Sequence, residues 1–468
     1  MTTLAADAIP RFIVMKSKPY SDKGHAYFKA DAKGSGGSVV LGEADVFSTL
    51  VKMEAERSTS DNKYISLRFG YSNRYWVLKA NSNLIVAESD QPDEDTTKPT
   101  CTLFEAVKVD DFFYLIHVQS GGRVLIDSKT LHFFLKSDVK SDEGYLTFVD
   151  WDSLVKLPPR VAFKGDNGKY LGTMIAILNF TYDDPNAEAS IYVVEQSPDG
   201  NVRIKWGVAD EQYWYWAQDN NDLIEVDPVS QGNQFWPVKM DENSIALRSI
   251  YNKQFCRHLS NDVYLDCLSA SAPTITKQAI MQVQELVLDR KMTNVKYQME
   301  YGRIFNEQPY LGGTSQLTNE AEEEASMSVS ITYTDEKTST FTGGFSLTAG
   351  VSASIEAGVP LIEKATITVN YSATATFEWS TETKTSTSVT ASGTVPVPGR
   401  STVTVEYVGT KGTCNIPFSY TQADKSSTDG HTTYTEVSDG VYTGVNCYNF
   451  YFTVTSVEPL PASSLSLF

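Results

Sequence analysis

From Phe341 to Trp379 apolar and polar side chains alternate along two arms that flank Pro360-Leu361-Ile362-Glu363-Lys364. In the first arm Phe341, Phe345, Leu347, Val351, Ile355 and Val359 hold odd positions, with Thr342, Ser346, Ser352 and Glu356 at even ones. In the second, Ala365, Ile367, Val369, Tyr371, Phe377 and Trp379 continue the odd series against Thr366, Thr368, Ser372 and Glu378. A period of two sustained this long predicts a β-hairpin with one apolar and one wet face. A five-residue loop would set Val359 opposite Ala365 and Phe345 opposite Trp379, gathering the apolar residues of both arms on one face. Half-buried strands of soluble sandwiches alternate in the same way. Arms of about 15 residues, however, exceed both the ordinary strand of about 5 to 6 and the roughly 9 to 11 that cross a bilayer. The wet face is hydroxylic rather than charged, since 23 of the 57 residues from Thr338 to Thr394 are Ser or Thr. The segment from about 341 to 379 is therefore read as membrane-inserting. Phe345, Leu347, Val351, Ile355, Val359, Ile367, Val369, Tyr371 and Phe377 would face lipid, and Glu356 and Glu378 the lumen.

The first two thirds of the chain repeat a different pattern, an apolar-basic pair followed several residues later by an aromatic cluster. The copies are Met15-Lys16 with Tyr27-Phe28, Leu67-Arg68 with Tyr75-Trp76, Ile116-His117 with the aliphatic Val124-Leu125, Phe163-Lys164 with Tyr170-Leu171, Ile204-Lys205 with Tyr213-Trp214, and Leu247-Arg248 with Phe255-Cys256. The basic member advances by 52 and 49 residues in the first three copies and by 41 and 43 in the last three. Two sets of three predict two tandem β-trefoils. Phe104-Glu105-Ala106-Val107-Lys108-Val109 parallels Phe235-Trp236-Pro237-Val238-Lys239-Met240 across the halves, and Lys156-Leu157-Pro158-Pro159 makes a stiff join. The expected domains are 1–155, 156–290 and 291–468. The fold class is all-β: two tandem β-trefoils followed by an elongated antiparallel domain.

Composition narrows the partners. A net charge of −19 argues against nucleic acid or anionic lipid held by general electrostatics, so membrane contact would need a specific receptor. Met1 to Arg11 shows no basic stretch followed by an apolar one, and no run of 18 apolar residues occurs, which makes the expected location cytoplasmic, with membrane association on pore formation. Cys101, Cys256, Cys267, Cys414 and Cys447 suit a reduced compartment, though Cys414 and Cys447 could pair in an oxidising one. His25, His117, His132, His258 and His431 lack metal-ligand or nucleophile-base spacing, and neither a phosphate-binding nor a dinucleotide motif is present. No enzyme, cofactor or metal is expected. Asp183-Asp184 reads as a solvated turn rather than a glycosidic pair.

Cys101-Thr102-Leu103-Phe104, Val149-Asp150-Trp151 and the run from Phe163 to Gly172 give positions 10 to 290 a resemblance to the plant amaranthin-type agglutinins. Positions 293 to 460 resemble the aerolysin and epsilon-toxin pore-forming module, and the whole is similar to chimerolectins that join the two. The resemblance implies a galactose- or N-acetylgalactosamine-type glycan receptor, a soluble dimer or a membrane-bound homo-oligomeric ring, and a role in plant defence. It places the sugar in a shallow site at the contact between the first domain of one subunit and the second of another, which here implicates Asn73, Arg74, Tyr75, Trp76 and Asn83. Agglutinins that bind sugar carry an aromatic pair where this chain has Asn83-Leu84. The repeat pattern assigns Tyr75 or Trp76 equally well to the core, and Trp214-Tyr215-Trp216 with Asp219-Asn220-Asn221-Asp222 offers a second polar and aromatic surface. Two alternatives remain: a non-lytic lectin whose last domain is an oligomerisation stalk, and a trefoil protease inhibitor.

Overall fold

A computed structural model describes residues 5–17, 27–31, 37–139, 143–209, 211–227, 233–343 and 351–461. The chain is all-β, and among the described residues helix is limited to turns of three or four residues. Two compact units divide it: Met1–Arg290 with Asp424–Tyr434 in one, and Lys291–Gly343, Ala353–Ala423 and Thr435–Phe468 in the other.

The first unit holds two closed barrels. In one, Phe12–Ser17, Met53–Arg57, Tyr64–Phe69, Leu103–Val109, Phe112–His117 and Leu146–Asp150 pair antiparallel in a ring. Three hairpins cap it, built from Tyr27–Asp31 with Ser38–Glu43, Arg74–Leu78 with Ile85–Ser89, and Arg123–Ile126 with Phe133–Lys136. The second barrel repeats the scheme with Arg160–Lys164, Tyr192–Gln196, Val202–Trp206, Phe235–Lys239, Ser244–Ser249 and Met281–Glu285. Its caps are Tyr170–Met174 with Ile177–Tyr182, Tyr213–Ala217 with Leu223–Asp227, and Phe255–Leu259 with Cys267–Ala272. Six barrel strands and three capping hairpins are the arrangement of a β-trefoil, and closure leaves no open sheet edge in the barrel.

Each barrel centres on one buried tryptophan. Trp76 meets Phe104 edge-on at 6.0 Å and Phe133 at 5.3 Å, while Trp214 meets Phe235 edge-on at 6.1 Å and Tyr192 at 5.1 Å. Such geometry adds to the area buried because ring edge and ring face carry opposite partial charge. The two barrels abut: Val46 N–H donates to Pro198 O at 2.8 Å, and Trp236 packs against the small core of Val14, Tyr27, Phe47 and Trp151.

The second unit is a sheet of long strands. Their order is Thr366–Glu378, Ala353–Glu363, Val287–Tyr297, Ser401–Ser426, Thr432–Pro459, Ala325–Thr342 and Thr383–Val397, with Arg303–Asn319 paired to Ser401–Ser426. Ser401–Ser426 and Thr432–Pro459 run for 26 and 28 residues, several times the usual strand. The main core lies where Met292, Phe341, Ile416, Phe418 and Tyr442 meet the hairpin that occupies one edge of this sheet.

Candidate functional site

The repeated basic-aromatic pairs resolve into cross-strand contacts. Lys16 pairs with Tyr27, Arg68 with Tyr75, Lys164 with Tyr170, Lys205 with Tyr213 and Arg248 with Phe255, each joining a barrel strand to a capping hairpin. In all five the cation stands over the ring, 4.9, 5.9, 5.4, 5.8 and 5.8 Å from its centre. The quadrupole of the ring attracts the cation at this range. The third copy reverses the roles, with Arg123 on the hairpin 3.7 Å from the centre of the Tyr114 ring on the barrel strand.

That duty decides the fate of the implied sugar residues. Tyr75 and Trp76 are fully buried, so neither ring is open to stack on a sugar. Tyr75 instead donates its hydroxyl to Glu56 at 2.7 Å. Asn73 is also buried, in a left-handed turn (φ 53°), and its Oδ1 accepts from the Arg68 guanidinium. Arg68 is further paired with Glu54 and Glu56. Burial alone would lower the pKa of Arg68, but the two carboxylates raise it above the usual range. Of the five residues only the half-buried Arg74, paired with Asp90, and the exposed Asn83 reach the surface. Asn83 accepts the Leu135 N–H on its main-chain oxygen at 2.7 Å.

The hairpin departs from its expected register. Ile355 faces Phe377 and Ala357 faces Ala375, then beyond an irregularity at Gly358–Pro360 Ile362 faces Ile367 and Leu361 faces Thr368. The turn is therefore Lys364-Ala365, both residues left-handed (φ 48° and 63°), and not the five residues from Pro360 to Lys364. Expected partners Val359 and Ala365 do not pair, and Ala353 O accepts the N–H of Trp379 where Phe345 was expected. The cause is the apolar Leu361-Ile362 pair, which stays in the strand because Ile362 is buried in the core. The irregularity moves the buried positions from odd to even in the first arm, so Ile355, Ala357, Pro360 and Ile362 share the inner face.

Of the expected lipid-facing residues, Ile355 and Phe377 are buried, while Val351, Val359, Ile367 and Val369 are half-buried. Tyr371 is 59% exposed. It lies on Thr366–Glu378, the edge strand of the sheet, which among the described residues has a neighbour on one side only. Phe345 and Leu347 lie outside the described residues. Glu356 and Glu378 are exposed, and Glu356 accepts the Thr374 hydroxyl at 3.1 Å.

Three side chains hold the first arm by its backbone. Tyr297 donates to Gly358 O at 2.6 Å, Tyr442 to Pro360 O at 3.0 Å, and Asn446 to Ile362 O at 2.9 Å. These are alternate carbonyls of one strand, all buried with their donors. The sequence pattern gave no sign of this clamp, since its residues lie 60 residues or more from the arm.

Among the described residues no cluster of His, Cys, Asp and Glu could hold a metal ion, and no helix is long and apolar enough to cross a membrane. All five cysteines are free thiols.

Residues 10–125, most of the first barrel, match the agglutinin domain family. No curated protein sequence matches the chain. Among solved structures, the chain is similar to the lamprey immune protein at 13% identity, covering 64% of this chain and 99% of that one with a TM-score of 0.33. It is similar to an aerolysin-like protein of Bombina maxima at 9% identity, 36% and 99% coverage and TM-score 0.25. It is also similar to a Polyporus squamosus lectin bound to a human-type influenza-binding epitope, at 11% identity, 31% and 50% coverage and TM-score 0.26.

Proposed function

We propose that this chain docks on galactose- or N-acetylgalactosamine-type glycans through its tandem barrels, then assembles into rings whose hairpins cross the membrane as a β-barrel. The single observation that carries the pore is the state of the hairpin. Its inner face is apolar and rests on the core of its own unit, its outer face is wet, and its first arm is held by pairing with Val287–Tyr297 and by hydrogen bonds from the side chains of Tyr297, Tyr442 and Asn446 rather than by covalent ties. A segment stored in this way can leave without unfolding the rest. In a bilayer the apolar face would meet lipid and pairing with neighbouring copies would satisfy the backbone of the edge strand.

The agglutinin match supports the glycan step. Attachment concentrates the protein on a surface, which favours assembly by mass action. Defence, in the plant setting that the resemblance implies, is the role that such a toxin would serve.

Dye release from liposomes bearing galactose-terminated glycolipid tests the reading. Leakage that requires the glycolipid is the expected result. Binding without leakage at any concentration would leave a non-lytic lectin with a stalk.

A further inference from the structure

On the second barrel, Tyr215 and Glu225 are cross-strand partners on the capping hairpin of the middle repeat. Tyr215 donates its hydroxyl to Glu225 Oε2 at 2.5 Å, and Asn220, in the turn of the same hairpin, donates Nδ2 to Glu225 Oε1 at 2.5 Å. Tyr264, from the loop of the third repeat, donates to Asn220 Oδ1 at 2.8 Å. The first repeat contributes Ile177, in register with Glu225, and Ile175 close by, which is 97% exposed. Three repeats thus converge on one half-buried carboxylate. The turn is braced from beneath, where Trp216 packs on the barrel core and donates Nε1 to Asp222 at 2.8 Å.

The relay does not close on itself. A carboxylate accepts about four hydrogen bonds, and the two donors named above leave Glu225 with acceptor sites to spare. Asn220 keeps a second amide hydrogen and Tyr215 a lone pair. Its hydrogen bond to Glu225, followed by burial, pushes the Tyr215 hydroxyl up to about 12, so the proton stays on the phenol. Adjacent hydroxyls of a neutral sugar need such a set, an anionic acceptor for their protons and a donor for their oxygens, with an apolar surface for the C–H face. The Tyr264 ring and Ile175 provide the apolar part.

The trefoil itself does not require this relay. At the same place on the other two hairpins of the barrel stand Gly172, whose missing side chain leaves room for the Tyr182 ring, and Arg257, which donates Nε to Ser271 at 2.9 Å. Only the middle repeat carries a ring and a carboxylate facing each other at this row.

We propose that Tyr215, Asn220, Glu225 and Tyr264 form a saccharide-binding surface on the second barrel, separate from any site on the first, which takes a neutral sugar through a pair of adjacent hydroxyls. It rests on the lectin reading and adds a site to it.

Saturation-transfer NMR and calorimetric titration of the full chain with methyl β-galactoside and N-acetylgalactosamine test it. Glu225→Ala and Asn220→Ala should each weaken binding of at least one sugar by about tenfold at this site, with melting unchanged, and Asn83→Ala should leave that binding in place. Tyr264→Phe removes one hydroxyl from a surface loop and serves where the other variants lose their fold; it should weaken the same binding by a few-fold. Wild-type affinity in Glu225→Ala, Asn220→Ala and Tyr264→Phe, with binding abolished by Asn83→Ala, overturns this site and leaves the lectin reading standing. Binding of neither sugar by the wild type overturns both.

Discussion

Asn446 holds both backbone groups of a single residue, Ile362: its Oδ1 accepts the Ile362 N–H at 2.9 Å and its Nδ2 donates to the Ile362 carbonyl at 2.9 Å, while also reaching the Cys447 carbonyl at 3.1 Å. A side-chain amide thereby takes the place of a paired strand at the tip of the hairpin. Both groups are buried, so removing the amide leaves a donor and an acceptor without partners, at about 1 to 3 kcal/mol each. Asn446→Ala should loosen the hairpin, lower the melting temperature of the full chain and shift dye release to lower protein concentration. A lower melting temperature with an unchanged leakage curve would mean that the clamp does not gate insertion.

The inner face of the hairpin is the one expected to meet lipid. Val369→Arg should cost up to about 2 to 4 kcal/mol per protomer in the membrane and abolish leakage, whereas Thr368→Arg, one residue away on the wet face, should still permit a pore. Glycan binding serves as the control and should be equal in both variants. Equal loss of leakage from the two substitutions would show that the alternation does not report the side that meets lipid.

Much of this architecture was legible because its periods are local. The alternation along 353–378 and the six copies of the apolar-basic pair could be read directly, and five of the copies correspond to a contact that recurs where a barrel strand meets its hairpin, as Lys205 with Tyr213 illustrates. The turn could not be read, because Lys364-Ala365 adopts left-handed backbone without a glycine or asparagine to signal it, while Pro360 looks like a turn and sits in the strand. The sugar loop misled for another reason. Asn73, Tyr75 and Trp76 have the side chains of a binding surface, and only the tertiary fold turns them inward. Asn220 and Tyr264 come together from different repeats, and single-sequence spacing carries no trace of that meeting.

Arg290 offers a test of charge burial in the first unit. It bonds Glu285 at 2.6 Å and Asp424 at 2.6 Å, and Glu285 is almost fully buried. Burial raises the Glu285 carboxyl pKa, against the pull of Arg290. Arg290→Met would strand that carboxylate, at about 3 to 5 kcal/mol. The double variant Arg290→Met with Glu285→Gln should be more stable than the single one by thermal or denaturant melting. Simple additivity of two losses would contradict the assignment of the cost to an unpaired charge.

The thiols should be inert in the folded protein. Burial pushes Cys414 up to about 11, which leaves about 0.1% thiolate at pH 8, and thiolate is the reactive form. Cys101, Cys256 and Cys267 are buried too, with their pKa values raised by burial, and only Cys447 is partly open. Labelling with an aromatic disulfide reagent at pH 8 should modify Cys447 first and slowly, with the other four reacting on unfolding. Rapid reaction of Cys414 in the native chain would contradict its burial.

The register also fixes the charge of a pore lumen. Glu356 pairs with Thr376, and Ser354 with Glu378, so the two glutamates lie on the same exposed face two residues apart along the hairpin, about 7 Å at a strand rise of roughly 3.4 Å per residue. Under a five-residue loop they would have stood far apart. Repeated around a ring, they become two neighbouring belts of carboxylates with no cation opposite them, since Lys364 is at the turn. Belts of one sign attract the opposite ion and repel the like one, and closeness makes their fields add. The pore should therefore be cation-selective in planar bilayers under a salt gradient. Glu356→Lys alone should nearly cancel the preference, because one positive belt then sits beside one negative belt, and Glu356→Lys with Glu378→Lys should reverse the sign of the reversal potential. An anion-selective wild type, or a reversal potential indifferent to the double substitution, would mean that the exposed face of the resting hairpin is not the face that lines the channel.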